Sequence, residues 1–517
     1  MRPVKIDFQN LLLLFLLPVL FLSCTVEKSE KPNIILFLVD DMGWQDTSVP
    51  FYKEITPFNK RYHTPAMEKL AAEGMKFTQA YSYSVCSPTR VSLMTGMNAA
   101  RHRVTNWTLR KNTSADHPSE ILELPDWNVN GMSPVPDFEK TVYATPLPQI
   151  LKDNGYFTIH CGKAHLGAMD TPAADPLNLG FDINIAGHAA GAPGSYYGKK
   201  NFGNKAGKLT LPWGVPGLEK YYGKNIYLNE ALSLEAEKAL DSSLIAGKPF
   251  FLYMAHYAVH TPIQEDPRFF NKYLSDSLPI VESKYASMVE SMDKSLGDLM
   301  NYLEEKGLDD KTIILFMSDN GGLSAVARGG KPHTHNIPLS SGKGSAHEGG
   351  IREPMIVKWP KVVKKGSSCD KYLIIEDFFP TILEMAGITD YNTSQITDGK
   401  SFVPFLKNKQ TNHQERALFW HFPNNWGPTG PGIGASSTIR KGDWKLIYYH
   451  SNQSFELFNL KADIGESNNL MNQEADKLIE MAKELSDYLR EVAAQMPVIK
   501  KTGVKVPFPD EAIINIL

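Results

Sequence analysis

The chain has 517 residues, 42% of them hydrophobic, and its 54 Lys and Arg against 57 Asp and Glu give a formal net charge of -3. That length buries a large core, and one big domain with a smaller one is expected. The near-balanced charge, with basic residues dispersed along the chain, excludes nucleic acid as a partner.

Arg2 and Lys5 precede an apolar run from Leu11 to Leu22, followed by Ser23, Cys24 and a polar stretch from Glu27 to Lys31. A charged start, a short apolar core and a small residue before the break predict a secretory signal over 1–24. The protein is then exported, to the periplasm or the cell surface. Ser23 directly before Cys24 also fits a lipoprotein cleavage site that anchors Cys24 in the outer membrane, although Phe21 is an imperfect match; simple cleavage nearby is the alternative. Only four cysteines occur, Cys24, Cys86, Cys161 and Cys369, so this is no disulfide scaffold. Whether Cys161 and Cys369 pair stays open.

Asn33 to Val39 (NIILFLV) is a continuous apolar run ending in Asp40, Asp41, Met42 and Gly43. This is the pattern of a strand buried on both faces of a parallel sheet. Polar residues at such an exit stand where open α/β sheets hold their ligands, although a lone Asp pair also reads as a solvated turn. Thr64 and Pro65 open a helix, followed by a strand through Phe77. Ser87 suits an N-cap, Pro88 the first helical position and Gly96 a stop, which predicts a short helix with Cys86 at its mouth. Unpaired N–H groups and the positive helix end favour an anion there, and Arg90 shares that face. Spacing alone leaves a second account open, with Cys86 a plain buried thiol and Arg90 a surface charge.

From Arg101 to Thr145 the chain is irregular and rich in Asn, Pro and Trp, including Trp107, His117 and Trp127. Aromatic and amide side chains suit sugar faces and hydroxyls, so this long loop reads as a substrate wall. A helix from Pro146 to about Asn154 and a strand from Tyr156 to His160 lead into Gly162-Lys163-Ala164-His165-Leu166-Gly167. The Gly-rich run from Ala186 to Tyr197, which includes His188, is a second loop able to approach a ligand. Pro249 to Ala255 (PFFLYMA) is another buried strand, followed by His256, read as structural, and by His260-Thr261-Pro262.

Val281, Tyr285, Met288, Met292, Leu296, Leu299 and Leu303 recur every three or four residues, as in an amphipathic helix. Thr312 to Ser318 (TIILFMS) is the next buried strand and delivers Asp319 and Asn320 to the edge that holds Asp40 and Asp41. After about residue 405 the texture changes. Ser437 to Tyr449 and Phe455 to Leu460 alternate like half-exposed antiparallel strands, and a helix spans about Ala475 to Ala494. His421, Asn424, Asn425 and Trp426 are read as a loop leading into this region and closing over the site. The predicted fold is α/β: a large mixed, mostly parallel sheet sandwiched by helices over 31–405, with a smaller α+β subdomain carrying an antiparallel sheet over 406–517.

The C-S-P-T-R core at Cys86, followed by Leu93-Met94-Thr95-Gly96, closely resembles the signature of type I sulfatases of the alkaline phosphatase superfamily. Further blocks carry the resemblance: the N-I-I-x4-D-D-x-G pattern from Asn33, Gly162 to Gly167, His260-Thr261-Pro262, and Gly342-Lys343-Gly344 with Glu348 to Pro354. Ala164 stands where the family has Trp, and Ser340 where it often has Arg.

The resemblance implies that a maturase oxidises Cys86 to formylglycine (3-oxoalanine), and that Asp40, Asp41, Asp319, Asn320 and residue 86 share one metal ion. Oxygen donors suit a hard cation, Ca²⁺, and Asn320 stands where a related two-metal phosphatase carries His. It further implies that Arg90 and Lys163 stabilise the hydrated aldehyde that attacks sulfur, and that Lys343 holds sulfate oxygens. His260 is then the general acid toward the sugar oxygen, and His165 takes the proton that releases sulfate. The expected substrate is an O-sulfated glycan, a galactose or N-acetylgalactosamine sulfate cut from the chain end, with Trp107, His188, His421 and Trp426 as contacts. A phosphonate or phosphate ester hydrolase, and a non-catalytic glycan-binding surface protein, are the other readings.

Overall fold

The computed structural model describes residues 1, 3, 31–205, 208–274, 278–408 and 416–514. Most of the expected signal, Cys24 included, lies outside them. The principal sheet is built from β1 (Asn33–Val39), β2 (Met75–Tyr81), β3 (Phe157–Gly162), β4 (Ile183–Ile185), β5 (Phe250–Ala255), β6 (Thr312–Ser318), β7 (Arg352–Lys358) and β8 (Ser367–Cys369). Their spatial order is β8-β2-β7-β6-β1-β5-β3-β4, and β9 (Leu373–Ile374) also pairs with β2. Strand β1 runs parallel to both neighbours, with Ile34 opposite Phe251 and Ile313. Strand β7 is antiparallel to β2 and β6 and makes the sheet mixed.

The long apolar runs exist because both faces of this sheet are covered. Ile34, Leu36 and Leu38 pack in one core with Val91 and Met94 of α1 (Cys86–Thr95) and with Phe378 and Phe379. Ile35, Phe37 and Val39 face the other core, beneath α2 (Leu228–Ile245) and α3 (Ile280–Glu305). In α3 the predicted stripe is realised from Tyr285 onward: Tyr285, Met288, Met292, Leu296, Leu299 and Leu303 are all buried, while Val281 at the start of the helix is half-buried. Each such side chain contributes about 1.5–3 kcal/mol when removed from water.

The C-terminal region forms an antiparallel sheet of β10 (Ala417–Phe422), β11 (Ser436–Lys441), β12 (Trp444–Tyr449) and β13 (Phe455–Asn459). Helix α4 (Ala475–Glu491) lays Leu478, Met481, Leu485 and Leu489 on Ile439, Leu446 and Tyr448. The expected half-exposed pattern is corrected here: Ser436 to Arg440 and Lys445 to Tyr448 are buried throughout. The second face is covered because polar residues on it bind the main sheet. Arg440 lies over the Tyr81 ring, and the fully buried Lys445 pairs with Glu348 and Glu466 at 3.0 and 2.8 Å.

Candidate active site

The parallel register of β1 and β6 sets Val39 beside Ser318, so the residues after each strand emerge together. Asp40, Asp41, Asp319 and Asn320 are all fully buried there. The Asp41 N–H donates to Asp319 Oδ1 at 3.3 Å, and Asn320 Nδ2 donates to Asp41 Oδ1 at 2.8 Å. Asp41 holds a left-handed backbone, φ 60°, and Tyr285 donates to its carbonyl.

Cys86 opens α1, two residues before the start expected at Pro88; Val85 rather than Ser87 occupies the cap position and Gly96 ends the helix with φ 69°. The Ser87 hydroxyl is used otherwise, accepting from Thr108 N–H and donating to the His165 carbonyl. Cys86 Sγ lies 3.5 Å from both Asp40 Oδ1 and Lys343 Nζ. Burial pushes its thiol up to about 12 against the opposing pull of Lys163 and Lys343, so as a cysteine it stays protonated and a poor nucleophile at neutral pH.

Cations answer the carboxylates one by one. Arg90 Nε and Nη2 both reach Asp319 Oδ2 at 2.8 Å, and Nη1 donates to the Lys163 carbonyl. Lys163 Nζ is 2.7 Å from Asp40 Oδ2, and Lys343 Nζ is 2.6 Å from Asp41 Oδ1. Burial acts to raise Asp41, but Lys343 and His260 hold it well below the usual carboxylate range. Burial raises Asp40 well above that range, with Lys163 opposing. His260 Nε2 stands 3.6 Å from Asp41 Oδ2, and burial, helped by Lys343, lowers its ring to about 3. His165 Nε2 donates to the Thr108 carbonyl at 2.8 Å, which leaves Nδ1 buried and without a partner among the described residues.

Two further buried oxygens, Asp41 Oδ2 and Asn320 Oδ1, have no hydrogen-bond partner among the described residues. Ligand atoms of Asp40, Asp41, Cys86 and His260 lie within 4.8 Å of one another. Orphaned oxygens of this kind beside carboxylates fit a hard cation.

Two members of this cluster, Cys86 and His260, line a cavity of about 570 Å³. Cys86, His165, His260 and Lys343 line its base, and Trp107, Trp213 and Trp426 its walls. The Gly-rich loop contributes Gly191 to Gly194, where a Cβ on Gly191 would stand 2.4 Å from the His165 ring. Two expected contacts are not part of it. His421 stands in β10 rather than in a loop, hydrogen-bonded to Ser437 Oγ and the Gln495 carbonyl, and His188 does not line the cavity. Trp127 is buried, its indole bonded to Asp116. Asp116 also takes Asn424 Nδ2 and the Asn425 N–H, tying the two long loops together. Trp213 went unnoticed in the sequence; the signal was an apolar L-T-L-P-W segment inside a lysine-rich loop. Cys161 and Cys369 are both free thiols.

Residues 32–388 match the sulfatase family. The chain belongs to the sulfatase family. It is therefore a sulfuric ester hydrolase by family, and the family in general uses a formylglycine and a metal ion. Residues 342–495 of the sulfatase also match a C-terminal family described as that of N-sulphoglucosamine sulphohydrolase. A sulfatase of Formosa agariphila is 30% identical, across 95% of this chain and 94% of that protein. Human N-acetylgalactosamine-6-sulfatase is 32% identical, across 78% of this chain and 74% of its own. Among solved structures, Ps i-CgsB has a TM-score of 0.70 at 28% identity, covering 89% of this chain and 93% of that chain. Its complex with k-i-k-neocarrahexaose gives 0.69 at 27%, covering 94% and 97%.

Proposed function

We propose that this sulfatase removes O-sulfate from a galactose-type sugar, 6-sulfated galactose or N-acetylgalactosamine at the end of a glycan, using a formylglycine made from Cys86 by a maturase and one Ca²⁺. The observation that carries this reading is Cys86 at a helix mouth, among three buried carboxylates and Lys343, on the floor of a tryptophan-walled cavity. Support for the sugar comes from relatives named as N-acetylgalactosamine-6-sulfatases and a structural relative solved with a neocarrahexaose. The reading includes export behind the 1–24 signal, anchoring through Cys24, a catalytic domain over 31–405 and a C-terminal subdomain over 406–517.

Asp40, Asp41, Asp319 and Asn320 would hold the Ca²⁺, which supplies positive charge to polarise sulfate oxygens. Formylglycine supplies, as its hydrate, an oxygen nucleophile where a protonated thiol has none. The surrounding side chains do the remaining work. Lys343, 3.5 Å from Sγ of residue 86, reaches the oxygens of a sulfate seated above it. Arg90 fixes Asp319 and the Lys163 carbonyl, and Lys163 neutralises Asp40, so the floor keeps its shape as charge develops. A sulfate anion beside His260 favours its protonated form, the form able to give a proton to the departing sugar oxygen. The Nε2–H bond to Thr108 fixes the His165 tautomer and leaves Nδ1 as the base for the second hydroxyl of residue 86.

The test is mass spectrometry of the peptide containing residue 86, together with turnover of aryl sulfate and aryl phosphonate. Formylglycine and a preference for sulfate are expected. An intact thiol in turnover-competent protein refutes the modification, and faster phosphonate cleavage refutes the substrate class.

A further inference from the structure

The cavity that holds the sulfate-binding floor is also lined by the exposed Trp213, whose loop carries two more exposed apolar side chains outside the lining. Leu209, Leu211 and Trp213 are 44%, 59% and 42% exposed, three apolar side chains at alternate positions of one loop. Clustered exposure of this kind marks a binding surface. The loop is also held rigidly. The buried Asn204 accepts from Thr210 N–H at 2.8 Å through Oδ1 and donates to the Val215 carbonyl at 2.7 Å and the Tyr222 hydroxyl at 2.8 Å through Nδ2. The Trp213 carbonyl accepts from Gly194 N–H at 2.6 Å, and Gly194 itself lines the cavity. The Trp213 backbone is therefore tied to the cavity lining at Gly194, and its side chain stays 42% exposed.

Charge does not explain this region. Lys343, at the floor, is the one lysine or arginine among the described residues that line the cavity. Lys205 and Lys208 precede Leu209 but are not among the residues lining the cavity. A volume of about 570 Å³ falls in the roughly 300–1,000 Å³ range of pockets that enclose drug-sized ligands, which is disaccharide size rather than that of one ring. A galactose-type ring presents a continuous patch of C–H groups on one face, suited to an indole.

The geometry points to Trp213 as the residue that binds the neutral sugar next to the sulfated one, so that the substrate is an oligosaccharide and not a free sulfated monosaccharide. This rests on the reading of the floor as a glycan sulfatase site. Stacking on Trp213 selects the neighbouring ring by its face, without a charge, before the ester reaches Lys343.

The experiment compares kcat/KM for a sulfated monosaccharide and for an oligosaccharide that ends in that same sulfated residue and is otherwise built of neutral sugars, in wild type, Trp213→Ala and Trp213→Phe. Wild type is expected to prefer the oligosaccharide through a lower KM. Aromatic stacking of about 0.5–1.5 kcal/mol corresponds to a ratio of up to roughly tenfold. Trp213→Ala erases that ratio and Trp213→Phe keeps most of it. High salt leaves the ratio in place, because no ion pair is broken. Equal treatment of both substrates by wild type, an equal loss on both in Trp213→Ala, or disappearance of the preference at high salt would each overturn the proposal. Aryl sulfate reports separately on the floor: no turnover of it by wild type sinks the sulfatase reading instead. Calorimetric titration with the oligosaccharide then still judges the Trp213 contact, and equal affinity in wild type and Trp213→Ala overturns it.

Discussion

Replacing Lys445 by Met removes one buried cation and leaves two buried acids behind. Lys445 is wholly inaccessible and bridges Glu348 Oε1 at 3.0 Å and Glu466 Oε1 at 2.8 Å. Breaking a buried pair from one side costs about 3–5 kcal/mol, because the remaining charge is neither solvated nor matched. Arg352 still reaches Glu348 at 3.1 Å and compensates part of the loss, so the lower end, about 3 kcal/mol, is expected. That is a large part of the roughly 5–15 kcal/mol that holds a domain together. The pH dependence has a definite sign. Burial raises the Glu348 carboxyl, and Lys445, Arg352 and Arg440 overcome it and bring the group to about 2, below its ordinary 4.5. A carboxyl lowered on folding contributes stability above pH 4.5 that is lost as pH falls toward 2. Urea unfolding followed by tryptophan fluorescence should therefore show the full deficit at about pH 7 and a smaller one below about pH 4. A deficit under about 1 kcal/mol at neutral pH, or one that does not change with acidification, would refute the argument.

Gly344→Ala meets two obstacles, a φ of +84° and a Cβ only 2.1 Å from the Trp426 ring, next to Lys343. A loss of about 1–3 kcal/mol with a fall in aryl sulfate turnover is expected, and a variant matching wild type in melting and rate would contradict it. Asp319→Ala removes a carboxylate from the floor and the partner of Arg90, so calorimetric Ca²⁺ affinity and turnover should fall together; unchanged Ca²⁺ affinity counts against the donor set. Burial, with Asp377 beside it, pushes Glu376 up to about 8, so wild-type stability declines as pH rises from its ordinary 4.5 through that value. Glu376→Gln cannot ionise, and its urea midpoint should exceed wild type above about pH 8 and match it near pH 4. Parallel pH curves for the two proteins would show that the carboxyl does not ionise as argued.

The main sheet was legible where one physical rule acts alone. β1, β5 and β6 are covered on both faces, so each reads as an unbroken apolar run, and the polar residues at their ends follow from strand direction. β7 was not legible, because Arg352, Glu353 and Lys358 are buried through partners distant in sequence: Arg352 bonds the Thr78 carbonyl, Glu353 bonds Ser82, and Lys358 bonds Glu73. The same cause hid the true face of β11 and β12. At the helix mouth, local propensity favoured Ser87 as a cap, and the tertiary demand of Thr108 and His165 for its hydroxyl won. His421 misled because a histidine near Trp426 in sequence need not share its cavity; strand pairing of β10 with β11 turns it toward Ser437.

Strand β1 occupies the middle of its sheet yet is made first. Its two flanking strands begin at Phe250 and Thr312, so its six apolar residues keep both edges open until the first of these is made and one edge open until the second. Such a ribbon pairs readily with a neighbouring chain, and the distant closure makes assembly slow. No fragment ending before Ser318 can complete the centre of this molecule, because the full-length partner of β1 on that side ends there.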